Sequence, residues 1–307
     1  MKHFNMIKKI LVAFGFVLLM HTTRAQQDAM YSQYMFNYLA INPGYAGSRD
    51  VLSVTGLYRN QWVNVDGAPT TITVTADAPI ARERMGIGLS VFSDKIGKEA
   101  NTGVYGTYAY RLRLSKKGTL GFGANVGFTQ YRANLAGSVS TQQENFGNIS
   151  EFNPNFGFGV YYSTDKFYLS VSLPHLLNSN LGTLQGSSIS SLARKHFFIG
   201  AGYVFTINPS VKLKPSFLIK AVEGAPVQAD VNANLWLVDR VGLGVLYRTG
   251  DAFAGLFELQ VTPAFRFGYA YDLTTTRIGA YTAGTHELML RYEFATKKKK
   301  IITPRYF

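Results

Sequence analysis

The chain has 307 residues, no Cys, and 31 basic against 18 acidic side chains, a formal charge of +13. Without Cys there is no disulfide framework, no thiolate metal site or nucleophile, and no lipid-bearing Cys behind a leader. It is 47% hydrophobic and 14% aromatic, with 30 Gly, 22 Phe and 19 Tyr but only 2 Trp, yet no later run is long enough to be a membrane helix.

The first element is a leader. Lys2, Lys8 and Lys9 precede the apolar run Ile10 to Met20, and Thr23 and Ala25 form a small-x-small site, so cleavage is expected to leave Gln26 at the new N-terminus. A retained anchor is the alternative, but the run falls short of the roughly 20 residues a spanning helix needs. Losing Lys2, Lys8, Lys9 and Arg24 lowers the charge to +9, with 27 basic residues against 18 acidic ones. Export argues against a nucleic-acid partner for that surplus, part of which is local, at Lys297, Lys298, Lys299 and Lys300. Membrane lipid head groups or an acidic partner suit it better.

Residues 30–50, "MYSQYMFNYLAINPGYAGSRD", come next. Tyr31, Tyr34, Met35, Tyr38 and Leu39 recur at helical spacing, and Asn42, Pro43 and Gly44 stop the pattern. An aromatic-faced helical segment here is expected to pack as a plug inside the following fold or as a cap beneath it. Its candidate residues are Tyr31, Gln33, Tyr34, Met35, Phe36, Asn37, Asn42, Pro43, Tyr45 and Gly47. Arg59, Gln61 and Trp62 then lead into a turn-forming loop carrying Gly67 and Pro69. Trp and Arg beside such a loop read either as an anchor for a partner chain or as an interfacial Trp with an inward Arg.

From Val51 to Phe294 the hydrophobicity alternates. Val241, Leu243, Val245 and Tyr247 oppose Arg240, Gly242, Gly244 and Arg248. Phe265, Phe267, Tyr269 and Tyr271 oppose Arg266, Gly268, Ala270 and Asp272, and Leu288, Leu290, Tyr292 and Phe294 oppose Glu287, Arg291 and Glu293. This is the two-residue period of strands. A soluble sandwich also alternates. Against it stand strands of about 9–12 residues, aromatics near strand ends, and mid-strand charges such as Lys212, Lys214, Lys220 and Asp230 on the second face. Roughly 14 such segments alternate short connections ("PIARER", "SKKG", "STDK") with longer polar ones. That pattern fits an even-stranded outer-membrane barrel with both termini in the periplasm.

The words "YSQYMFNYLAINPGYAG" and "YRNQWVNVDGAPTT", with the ending "TPRYF", resemble the PorP/SprF family of Bacteroidetes outer-membrane proteins. Gly44 stands where the family commonly has Ala. The resemblance implies a type IX secretion or gliding component. Its partners would be a secreted surface adhesin with a type B C-terminal domain and periplasmic-side lipoproteins of the machinery.

Enzyme signals are weak. His175, His196 and His286 are widely spaced, and His196 and His286 near strand ends leave only a barrel-wall lipase as a catalytic reading. "GFGANVG" is superficially like a dinucleotide loop, but Gly121, Gly123 and Gly127 have period two and no following helix, so they read as sites of close approach between wall and plug. No cofactor and no metal are implied. The expected organisation is a signal peptide at 1–25 and a plug or cap at 26–50. An all-β, transmembrane, antiparallel up-and-down barrel of about fourteen strands follows at 51–296, and a basic periplasmic tail at 297–307. The leading function is a non-enzymatic secretion and anchoring barrel. A plugged transporter of small hydrophobic molecules is the rival.

Overall fold

The structure, a computed structural model, describes residues 30–115, 117–134, 148–177, 179–183, 190–193, 195–223 and 225–294. The leader and the tail Lys297–Lys300 lie outside the described residues. The strands are β1 Leu52–Asn60, β2 Thr70–Ile80, β3 Met85–Ile96, β4 Glu99–Arg113, β5 Thr119–Ala133 and β6 Ile149–Ser163. They continue with β7 Phe167–Leu173, β8 Ser179–Thr183, β9 Ser190–Ala193, β10 His196–Tyr203, β11 Phe205–Asn208 and β12 Val211–Val222. The last are β13 Gln228–Leu237, β14 Val241–Arg248, β15 Ala252–Gln260, β16 Phe265–Thr274 and β17 Thr285–Phe294.

Successive wall strands pair antiparallel, and β1 pairs with β17 from Leu52 opposite Phe294 to Asn60 opposite His286. The sheet therefore closes. Closure satisfies every ladder group without water, which is what permits a sheet to sit in lipid. β10 and β11 both pair with β12 and form one wall strand interrupted at Val204, whose N–H donates to the Lys166 carbonyl at 2.7 Å. The wall then has fourteen strands. β8 and β9 form a separate hairpin within the connection from β7 to β10, a stretch read from sequence as loop. Its short, Ser-rich halves carry no clear two-residue rhythm, so the pattern that reveals the wall strands is missing there.

The alternation sorts side chains as expected. Val126 is 68% exposed and Val245 67%, whereas Asp230, Asn232 and Asn234 on the other face are buried. Apolar groups left so open on one whole face belong against lipid. Aromatic pairs mark both rims of that band. Phe128 with Phe152 (ring centroids 4.8 Å) and Tyr247 with Phe253 (4.7 Å) lie toward the end with the longer connections. Tyr203 with Phe205 (4.6 Å) and Tyr292 with Phe294 (4.7 Å) lie toward the end with the short turns. Such belts suit rings that are apolar yet tolerate the head-group layer. The long-loop end is not uniformly long, because β3 and β4 are joined by Gly97 and Lys98 alone.

Candidate functional site

A closed fourteen-strand cylinder is too wide for its own wall side chains to fill. Here residues 30–50 run down its inside. The path starts at the long-loop end, where Ser32 and Gln33 meet Glu287 near the start of β17, and finishes at the short-turn end, where Arg49 meets Glu293 and Asp50 meets Arg111. Every residue from Tyr31 through Leu39 is buried, the polar Ser32 and Gln33 included.

The segment is not one helix with one apolar face. It folds as three 3-10 turns, Tyr34–Phe36, Tyr38–Ala40 and Pro43–Tyr45. Asn37, at φ −134°, separates the first two, and Asn42 caps the third by accepting from the Gly44 N–H at 2.8 Å. Surrounded by wall on every side, the chain has no wet face to give an amphipathic helix its polar half. Its backbone bonds within these short turns, and where they leave groups over, at the Ser32, Gln33 and Gly47 N–H groups and the Ile41 carbonyl, to wall side chains, as buried amides and carbonyls require.

At the long-loop end the wall supplies charge. Glu287 accepts from the N–H of Ser32 (2.9 Å) and of Gln33 (2.8 Å), and the Ser32 hydroxyl donates to Asp272 (2.7 Å). Arg59 bridges both acids, at 2.9 Å from Asp272 and 3.0 Å from Glu287. Beside it Asp230 pairs with Arg248 (3.0 Å) and Lys220 (2.8 Å). All of these groups are buried. Charges buried this deeply persist only when paired and hydrogen-bonded. Glu287, Asp272 and Asp230 are therefore working parts of the site.

Midway, Tyr38 donates to the Tyr168 hydroxyl at 2.9 Å, and the Tyr38, Tyr45 and Tyr161 rings meet at centroid distances of 5.2–5.9 Å. Tyr31 bonds to Thr73, and Asn37 accepts from Thr75 at 2.8 Å. Met35 lies against Asn232, and Phe36 lies beneath the Lys214 ammonium at 5.7 Å. Asn42 donates to the Ser170 hydroxyl at 2.7 Å and the Val160 carbonyl at 2.9 Å.

On β5 and β6 the wall supplies space. A β-carbon on Gly121 would strike the Gly44 carbonyl, one on Gly123 the Pro43 carbonyl, and one on Gly159 the Asn42 side chain. Gly86 on β3 gives the same room to Ala46 and Gly47. Gly127 does not belong to this set, since its neighbours are Val104 and Tyr105 of the adjoining strand. Gly47, at φ +74°, turns the chain toward Asp77, which accepts from its N–H at 2.8 Å.

Of the residues singled out from sequence, those from Tyr31 to Gly47 come together in the lumen with Arg59. Arg59 thus takes the inward reading rather than the surface one. Gln61, Trp62, Gly67 and Pro69 lie in the connection above. The Gln61 N–H donates to the Pro69 carbonyl and the Gly97 N–H to the Gly67 carbonyl, both at 2.9 Å. His196 is buried against Phe198, and His286 is bonded to the Tyr269 hydroxyl at 2.7 Å. They stand on β10 and β17, which are not neighbours. Asp272, Glu287 and Glu293 are read from sequence as inward-facing. Their partner could not be read, because pairing with a segment more than 200 residues away leaves no local pattern.

A closed antiparallel barrel with a lipid-facing apolar band and a polar interior is an outer-membrane β-barrel protein. Among solved structures, the CymD monoaromatic hydrocarbon channel superposes with a TM-score of 0.50 at 10% identity, over 87% of this chain and 94% of that one. A Pseudomonas aeruginosa FadL homologue gives 0.49 at 12% identity, over 85% and 94%. At these identities the likeness to CymD is one of fold alone. The profile of the family described as type IX secretion system membrane protein PorP/SprF matches residues 23–292, and the chain belongs to that family. No curated protein matches it.

Proposed function

We propose that this barrel is a non-enzymatic component of the type IX secretion machinery that holds a secreted surface protein at the cell face, and that residues 30–50 close its lumen as it does so. The observation that carries the reading is the inner segment. It packs on the wall from one end to the other, which favours a surface for a partner over a passage for a solute. In this reading the long-loop end faces outward and the short-turn end the periplasm, as in other outer-membrane barrels. The cargo is an adhesin bearing a type B C-terminal domain, and lipoproteins of the secretion and gliding apparatus bind below.

Two features supply contact surfaces. The 61–69 loop is cross-braced to the β3–β4 turn and, through Val63, to Gly284, so presenting Trp62 costs a partner little ordering entropy. The basic run Lys297–Lys300 comes shortly after the last strand in the sequence, and in this reading it binds an acidic partner or anionic lipid. Deleting the gene is expected to remove one adhesin from the cell surface while other secreted proteins still appear outside. Normal display of every adhesin in that strain would reject the proposal. The rival, passage of small hydrophobic molecules, requires a continuous path beside the segment. Rapid uptake by liposomes containing the purified barrel alone would favour it.

A further inference from the structure

The charges inside the barrel fall into two groups. Toward the long-loop end Arg59, Lys220 and Arg248 meet Asp230, Asp272 and Glu287, all buried, so cations and carboxylates balance. Toward the short-turn end, Arg111 pairs with Asp50 at 2.9 Å and Lys212 with Asp239. The other buried cations there are Arg49, Lys214, Arg266 and Arg291, and the buried carboxylates are Asp77, Glu258 and Glu293. Among the described residues, one cation is left over.

The geometry puts the surplus at Arg291. Arg49 bonds to Glu293, and Arg266 has Glu258 at 3.7 Å and donates to the Gln260 side-chain oxygen at 2.8 Å. Arg291 donates to the Thr55 hydroxyl through Nε at 3.1 Å, and its two Nη groups have no acceptor among the described residues. Those groups are not sealed from open space, although the residue is only 3% exposed. Directly opposite Arg291 across the β16–β17 ladder stands Arg266. Like charges in that position repel, the more so away from water. A guanidinium cannot shed its proton, and a buried one persists only with a counter-charge. Water at the Nη groups would solvate them and leave the charge uncompensated.

We propose that a small monovalent anion of halide size binds inside the barrel against the Arg291 Nη groups, beside Arg266. One surplus charge calls for one negative charge, and a dianion would overshoot it. The planar fork of the guanidinium offers two N–H donors to a single anion. Glu293, two residues along the same strand face, holds Arg49 of the inner segment. The anion thereby offsets repulsion at the contact where that segment leaves the lumen. The inference stands apart from the secretory role, since the charge count is the same whatever the barrel carries.

The test uses the full-length protein in detergent, exchanged into sodium gluconate and titrated with chloride, bromide or sulfate at constant ionic strength, so that general screening is held fixed. Chloride and bromide are expected to raise the unfolding temperature saturably, and sulfate to leave it where gluconate does. Crystals grown in bromide should show an anomalous peak in contact with the Arg291 Nη groups. Arg291→Gln, which restores the balance of charge, should weaken the chloride response at least about tenfold. In gluconate it should unfold no lower than the unaltered chain. The bromide peak carries the test should that variant fail to fold. Equal unfolding temperatures in chloride and gluconate would overturn the proposal and mean that Lys214 gives up its proton instead. Bromide bound only elsewhere, as an adventitious ion, or a chloride response kept in full by Arg291→Gln would overturn it too.

Discussion

Where residues 42–44 meet β5 and β6, the lumen wall is glycine, and the fit is between backbones. Where residues 32–33 meet β1, β16 and β17, the wall is carboxylate and guanidinium, and the fit is between charge and amide. The first contact is made by removing atoms and tolerates no addition. The second is made by adding charged groups that would be a liability in any other buried setting, and it tolerates no subtraction. The two lie on opposite flanks of the same chain, so each keeps the segment against the other.

That contrast can be broken at four points. Glu287→Ala removes the acceptor for two buried N–H groups and half the partnership of Arg59. It should destabilise the barrel by about 3 kcal/mol, measured by urea unfolding in micelles. Combining it with Arg59→Ala should cost less than the sum of the two single changes, because the second charge no longer lacks a partner. Gly123→Ala places a methyl on the Pro43 carbonyl and should cost about 1–3 kcal/mol, with residues 30–50 becoming open to protease in the otherwise folded barrel. Tyr38→Phe deletes one hydroxyl bond to Tyr168 while keeping the ring contacts, a loss of about 1 kcal/mol in the same assay. Gly255→Ala, on the lipid-facing side with nothing within 4 Å of the added carbon, should stay within about 0.5 kcal/mol. If Gly123→Ala proved as mild as Gly255→Ala, the steric half of the comparison would be lost.

Gly44 sharpens the same contrast. A β-carbon there would lie 2.9 Å from the backbone of Gly121, Gly159 and Tyr161. From sequence its departure from the Ala that relatives resembling this chain carry is a mild one. In this barrel it matches the glycine wall it faces, so the wall and the segment are complementary in this chain at the level of a single methyl group.

The wall was legible in the amino-acid sequence because a strand repeats every two residues and every inward or outward choice is written locally. Val245 and Tyr247, or Asp230 and Asn232, declare their faces without reference to anything distant. The same rhythm marks about fourteen segments, and the alternation of short and long connections supports that count. The inside of the barrel was not legible in that way. Helical spacing in residues 31–39 came from aromatics filling a lumen on all sides, and a period cannot say whether a residue's neighbour is water or wall. Which carboxylate meets Ser32, and which glycine meets Pro43, are choices between positions far apart in the chain. They were decided only when the sheet closed and brought β1, β5 and β17 around one segment.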